Sequence, residues 1–373
     1  MLRFLLFFLF IYSAMHALFF LRVHVLLPGR RSAQWGFALF LLLMIFAPIL
    51  CRLMERAGHD LAARITATVG YVWMGLIFVS FWFCLLMTLY DALAWTGARL
   101  LPHAPPLLTG KAPVLAMLAA TSLLCGYGAF EAGRIRTERV TLTTTKLPAH
   151  IPRLTIAQIT DVHLGIMARS GRLKTVLEKV DTLDPDILVS TGDLVDGSLD
   201  HLPELLELLQ AVRPRYGKFA VTGNHEVYFG LSRAVAFTRE AGFTVLRNST
   251  SDRETPINIV GVDDAPVNLP EREVPLLRTA RNGKFTLYLK HRPLVCPETT
   301  GLFDLQLSGH THAGQMFPFN FVVALQYPLL KGRFPLENGS TLYTSRGTGF
   351  WGPPMRLLAP PEITLIELVR ESS

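Results

Sequence analysis

Gly309-His310-Thr311-His312-Ala313-Gly314-Gln315 decides how this 373-residue chain folds. The short apolar run Leu305-Gln306-Leu307 precedes it and glycines bracket it, so the stretch reads as a strand ending in a tight loop that presents two imidazoles. Imidazole is the commonest metal ligand among side chains, and rings at i and i+2 of extended backbone point to the same side. Two exposed loop histidines would read the same way, so the weight rests on what stands upstream.

Upstream, four more polar clusters follow apolar, β-branched runs. Leu154–Thr160 reads as a strand and runs into Asp161-Val162-His163; Asp186–Ser190 ends in Gly192-Asp193; Lys218–Thr222 is followed by Gly223-Asn224-His225-Glu226; and Phe285–Leu289 runs into Lys290-His291. Apolar-faced helices are expected at Gly171–Leu183, Leu202–Val212 and Leu231–Ala241, after which strands dominate, with Thr244–Leu246, Ile257–Val262, Thr341–Thr344 and Glu362–Leu368 completing the set. Five polar clusters thus sit at the carboxyl ends of five strands, the edge where open α/β sheets bind ligands. Two carboxylates, an asparagine and several imidazoles are a donor set for a pair of divalent cations, better suited to manganese, iron or zinc than to calcium.

The residues before Phe130 belong to a different regime. Half of all residues are hydrophobic, only 17% are charged, and the long apolar runs are almost all N-terminal. Runs over Met1–Leu21, Trp35–Leu50, Ile65–Tyr90 and Val114–Phe130 predict four transmembrane helices, the first an uncleaved span because no small-x-small cleavage site follows it. The second run is short and contains Pro48, so a re-entrant or tilted helix also fits. Pro28 and Gly29, and Pro102, Pro105 and Pro106, mark loops where helices cannot continue. No charge lies deep in the second, third or fourth run, so the helices read as an anchor more than a transport path.

Much of the net charge of +7 comes from arginines at the borders of these runs. With the N-terminus inside, eight basic residues (Arg3, Arg52, Arg56, Arg64, Arg134, Arg136, Arg139, Lys146) face five (Arg22, Arg30, Arg31, Arg99, Lys111), which leans toward a cytoplasmic C-terminal domain. No basic stripe interleaved with aromatics speaks for a stable nucleic-acid partner. The four cysteines, Cys51, Cys84, Cys125 and Cys296, suggest no disulfide framework.

Together, Asp161-x-His163, Gly192-Asp193, Gly223-Asn224-His225-Glu226, His291 and Gly309-His310-x-His312 resemble the five ordered motifs of the calcineurin-like metallophosphoesterase superfamily, over roughly residues 150 to 370. The resemblance implies an αββα sandwich of two sheets flanked by helices, behind a helical anchor, with domains at 1–137 and 138–373. It assigns Asp161, His163 and His312 to one divalent metal and Asn224, His291 and His310 to the second, with Asp193 bridging. Manganese is expected, with iron or zinc as alternatives. His225 would protonate or stabilise the leaving oxygen, and Asp193 and His225 are the catalytic pair. The implied reaction is hydrolysis of a phosphate ester or pyrophosphate bond by metal-activated water.

Ala313-Gly314-Gln315, Gly347-Thr348-Gly349 and Arg356 are similar to a bacterial subgroup of membrane-associated phosphoesterases, some of which act on lipid-linked sugar nucleotide pyrophosphates. That likeness implies an inner-membrane protein whose partners are the bilayer and a phosphate-containing substrate; a lipid-linked one is an option that the motifs themselves do not fix. A soluble nucleotide or nucleic-acid phosphodiesterase and a non-catalytic metal-binding sensor or scaffold are the competing readings. Asp196 and Glu226 read as supporting carboxylates, Asp263-Asp264 as a solvated turn, and Arg346 and Arg356 as candidate phosphate clamps. The apolar stretch Met316–Leu330 reads either as a core loop plus helix or as an acyl-chain contact or membrane-facing lip.

Overall fold

The computed structural model describes residues 2–99, 105–197 and 202–371. Met1 and Pro102 lie outside them. The chain divides into two compact units, residues 1–130 with 352–355, and residues 131–351 with 356–373.

The first unit carries α1 (Leu2–Val23), α2 (Arg31–Arg56), α3 (Asp60–Gly97) and α4 (Lys111–Gly133), four helices long and apolar enough to cross a membrane. The second run is not short. Helix α2 extends over 26 residues, because Arg31 to Trp35 and Cys51 to Arg56 continue the helix at both ends, and Pro48 sits inside it. Tyr12, Phe19, Ile45, Ile77 and Met117 interlock in the core of this unit, while Phe10, Leu39, Leu93 and Leu123 point outward. A Cβ on Gly70 would lie 2.8 Å from the Ala47 Cβ, so the missing side chain lets α2 and α3 approach closely. Asp91, inside α3, is neutralised by Arg22 at 2.6 Å.

The second unit runs in order through β1 (Arg136–Thr144), β2 (Arg153–Ile159), β3 (Leu164–Gly165), α5 (Ser170–Leu183), β4 (Ile187–Ser190), β5 (Val195–Asp196), α6 (Leu202–Ala211), β6 (Lys218–Ala220), α7 (Asn224–Phe229) and α8 (Leu231–Glu240). It continues through β7 (Phe243–Val245), β8 (Ser249–Thr250), β9 (Asn258–Gly261), α9 (Pro270–Ala280), β10 (Thr286–Leu289), β11 (Leu305–Ser308), α10 (Phe319–Gln326), β12 (Gly332–Pro335), β13 (Thr341–Thr344) and β14 (Glu362–Arg370). One six-stranded sheet has the order β1-β14-β2-β4-β6-β7 and the other β12-β13-β11-β10-β9-β8.

Three apolar layers make this an αββα sandwich. Ile156, Val189 and Phe219 of the first sheet meet Ile259, Leu287 and Leu307 of the second between the sheets. Outside the first sheet, Leu173, Val176 and Val180 of α5, Leu209 of α6 and Phe237 of α8 cover Ala157 and Leu188. Outside the second, Leu277 and Ala280 of α9 cover Val260 and Tyr288. Strands buried on both faces have no polar alternation, which is why Ile187–Ser190 and Leu305–Ser308 are uniformly buried.

The strands β2, β4 and β6 are mutually parallel, as are β10, β11 and β13, so their carboxyl ends share an edge within each sheet. Gln158, fully buried in β2, donates to the Ser308 carbonyl of β11 at 3.1 Å and ties the sheets together just below that edge.

A buried ion pair fixes α9 on the second sheet. Lys290 Nζ lies 2.8 Å from both Glu273 oxygens, and Tyr288 donates its hydroxyl to the same carboxylate at 2.9 Å. Removing one partner of such a pair strands the other charge in the core. Lys290→Met is therefore expected to cost about 3–5 kcal/mol, measured by thermal or denaturant unfolding in detergent, with Glu273→Leu added to it recovering part of the loss.

Candidate metal centre

Five loops leave the shared strand ends and converge. Asp161 and His163 follow β2, Asp193 follows β4, Asn224 opens α7 after β6, His291 follows β10, and His310 and His312 follow β11. The residues expected from the sequence come together as sets. Asp161, His163 and His312 bring one ligand atom each within 4.8 Å of one another, as do Asp193, His291 and His310, and also His163, Asp193 and His225.

The backbone is forced to make this meeting. Asp161, His163, Asp193, His310 and His312 all have positive φ, between 48° and 71°. Each such residue costs on the order of 1 kcal/mol or more, and strain of this kind clusters where function needs it. Two motif glycines serve close approach instead: a Cβ on Gly309 would lie 2.2 Å from Asp161 Oδ2, and one on Gly223 would lie 2.2 Å from Asp193 Oδ1.

At one subsite, His163 Nε2 and His312 Nε2 are 3.1 Å apart, and His312 Nε2 is 3.6 Å from Asp161 Oδ1. The Asp161 carboxylate accepts the His310 backbone N–H through both oxygens, at 3.1 and 3.0 Å. At the other, His291 Nδ1 donates to the Thr191 carbonyl at 2.8 Å, which frees Nε2 for ligation. That Nε2 faces Asp193 Oδ2 at 3.2 Å, Asn224 Oδ1 at 3.3 Å and His310 Nδ1 at 3.2 Å. Lone pairs of oxygen and nitrogen therefore point at one another in a buried pocket. Such a donor set fits divalent cations, and mixed oxygen and nitrogen donors are what manganese, iron or zinc accept.

Electrostatics agree with that fit. Burial raises the Asp161 carboxyl to about 6, and burial together with the His225 charge lowers His163 to about 3. Burial also lowers His310, to about 2, and holds His312 well below the usual imidazole range, with Arg356 adding to the effect. Burial opposes charge on His291, but Asp193 outweighs it and pushes the ring up to about 10.

His225 stands apart from the two three-ligand sets. Its backbone N–H donates to Asp193 Oδ1 at 2.8 Å, its Nδ1 lies 2.9 Å from Asp196 Oδ1, and its Nε2 is 4.0 Å from Asp193 Oδ2. Burial disfavours its charge, yet Asp193 and Asp196 prevail and raise it to about 9. Its ring meets the exposed Tyr228 and Trp351 edge-on, both at 5.5 Å.

The supporting residues differ in places from what the sequence suggests. Glu226 is fully enclosed and accepts the backbone N–H groups of Asp193, Val195 and Gly223. Arg356 and Arg346 are not phosphate clamps. Arg356 is wholly buried, donating to the carbonyls of Gly349, His312, Arg346 and Ala359 and to Nδ1 of His312. Arg346 is paired with Glu138 and Glu362. Nor is Asp263-Asp264 a solvated turn: Asp263 pairs with Arg247, and Asp264 holds Arg292 at 2.8 Å. Sequence reasoning misses Arg292 and Tyr327. Arg292 donates to the Tyr327 hydroxyl at 2.8 Å, and that hydroxyl is 3.1 Å from His310 Nε2. Arg292 directly follows the ligand His291, and that adjacency is the signal that could have found it.

A family model described as calcineurin-like phosphoesterase matches residues 154–314, the span from β2 to the double-histidine loop. An uncharacterized metallophosphoesterase of Aquifex aeolicus is 37% identical over 252 residues, covering 66% of this chain and 96% of that protein. A Danio rerio transmembrane protein with metallophosphoesterase domain is 30% identical over 273 residues, and the chain spans 62% of its length. A dimetal phosphatase from Danio rerio aligns over 53% of this chain and 88% of its own, with 14% identity and a TM-score of 0.35. With its ligand loops, its sandwich and its near full-length bacterial relative in agreement, the chain belongs to the calcineurin-like phosphoesterase family and is a metal-dependent phosphoester hydrolase.

Proposed function

We propose that the protein is a membrane-anchored phosphoesterase that holds two divalent cations and cleaves a phosphate ester or pyrophosphate bond of a lipid-linked substrate. One observation carries the reading: seven donors from five loops, Asn224 among them through its contact with His291, converge in the chain that also holds four helices long and apolar enough to cross a bilayer. Asp161, His163 and His312 would hold one cation, Asn224, His291 and His310 the other, with Asp193 shared and manganese the favoured metal. Bound there, the cations supply an acidified water and neutralise phosphoryl charge.

The chain's own residues do the rest. Asp196 orients His225 through Nδ1, which leaves Nε2 to carry a proton toward a leaving oxygen. Asp193 and Asp196 pull that imidazole toward its protonated form, the state a general acid needs. Glu226 accepts the Asp193 backbone N–H, and the His225 backbone N–H donates to Asp193 Oδ1, so main chain and carboxylate are both held. The proposed setting is a bacterial inner membrane, and the basic residues flanking the helices, eight against five, support a catalytic unit that faces the cytoplasm.

The deciding experiment uses the full-length protein in mild detergent, stripped of metal and restored with manganese, with Asp193→Ala as the blank. Metal-dependent turnover of a lipid-linked nucleoside diphosphate, well above that of a soluble aryl phosphodiester, is expected. Preference for the soluble ester would overturn the lipid assignment, and turnover of neither would leave a metal-binding sensor. His225→Ala is expected to lower kcat by about 10²–10⁴ on an alkyl leaving group and far less on a nitrophenyl one, with metal content by mass spectrometry unchanged; equal loss on both esters would remove the acid role. A phosphatase reporter fused to the C-terminus should be silent outside the inner membrane, and extracytoplasmic activity would reverse the orientation.

A further inference from the structure

No carboxylate occurs between Asp304 and Glu337. Within that stretch, α10 has no buried residue, although its side chains are apolar except for Asn320 and Gln326. Phe319, Phe321, Val322 and Leu325 lie exposed, Leu325 by 86%, and Phe317 just before the helix packs on Phe321 with ring centroids 5.8 Å apart. Leaving such a face in water forfeits roughly 25 cal/mol for each Å² of apolar surface, and contiguous exposed apolar patches mark interaction or membrane sites. Of the Met316–Leu330 stretch only Met316 and Tyr327 are buried, so the core alternative does not hold for α10.

The helix is not a loose appendage. A Cβ on Gly314, which has φ +79°, would lie 2.3 Å from the Asn320 Cα, so the start of α10 rests directly on the ligand loop. At the other end the hydroxyl of Tyr327 meets His310 Nε2 and Arg292. Both ends are therefore fastened to the metal centre while the apolar side faces away. Lys331 and Arg333 follow shortly after, both exposed.

We propose that α10 with Phe317 is an interfacial element that seats in the headgroup layer of an anionic phospholipid bilayer, with Lys331 and Arg333 against the lipid phosphates. The inference rests on the membrane phosphoesterase reading and names the surface from which that site takes its substrate. A helix apolar along its length, bordered by cations and free of carboxylates, matches an anionic lipid surface, where apolar insertion and attraction to phosphate add together. A bilayer is also always at hand for a chain with four spans. The docked helix would hold the metal loop at headgroup depth, where the phosphate of a lipid-linked substrate lies.

The test uses the full chain in vesicles. Its four native cysteines are all buried, so a nitrobenzoxadiazole label can be placed at Leu325→Cys, with exposed Asp252→Cys as the control position. Doxyl lipids in phosphatidylglycerol vesicles are expected to quench the label at 325 about threefold or more above the label at 252. In phosphatidylcholine vesicles, or with Lys331→Glu and Arg333→Glu, that excess should fall by at least about half. Quenching at 325 no greater than at 252 overturns the proposal, as does a blue shift without lipid quenching, which would mean that protein covers the helix. Quenching equal in both lipids overturns the role of the cations. The readout does not depend on turnover: docking that persists in Asp193→Ala while the lipid-linked substrate is refused supports the interfacial element and sinks the substrate assignment, and turnover without quenching does the reverse.

Discussion

The buried carboxylate of Asp193 is the constraint on which the centre depends. It is a buried charge with His291 at 3.2 Å and the His225 amide at 2.8 Å, and a charge so placed is tolerable only if every lone pair has a partner. The surrounding fold supplies those partners. Glu226 clamps the backbone behind it, the Thr191 carbonyl sets the tautomer of His291, and Gly223 gives up its side chain so that the next loop can come close. Parallel strands in both sheets deliver these loops to one edge, and Gln158 joins the sheets beneath them. The apolar layers above and below serve chiefly to keep that edge rigid.

Much of this is legible in the sequence, for physical reasons that also explain the gaps. The strands before Asp161, Asp193, Asn224, His291 and His310 are short apolar runs ended by Gly or polar residues; helices between the first three favour their parallel pairing, whereas the second sheet, where strands dominate, carries no such signal. Strand β1 escapes such a reading because Arg136–Thr144 is mostly exposed and carries charged residues, so its place is set by pairing with β14 and not by its own pattern. Helix α9 escapes it because Pro275 and four charged residues hide a narrow apolar stripe, Leu277 and Ala280. Helix α2 reads short because Arg31 and Arg52 bound the apolar run, yet the helix continues over these polar residues and through Pro48.

Side-chain partnership is the least legible level. Arg346 and Arg356 look like anion clamps when charge is all that is visible, and only the fold shows their guanidinium groups already saturated by carboxylates and carbonyls. Arg356 in particular replaces what could have been an apolar core: it gathers four carbonyls that the irregular backbone around Gly349 and Ala359 cannot satisfy itself. The chain near the centre is irregular because the ligands require it, and the arginine makes the irregularity tolerable.

Left-handed backbone at five of the ligand positions also limits how such a centre can change over time. Asp, Asn and His tolerate that conformation better than most residues, whereas β-branched side chains do not. Valine, isoleucine and threonine are thereby disfavoured at Asp161, His163, Asp193, His310 and His312, whereas glycine would fit the backbone at no steric cost and remove the donor. Positive φ also accepts residues that bind no metal, as at Ala313, Gln315 and Leu358, so the backbone alone does not preserve the donors.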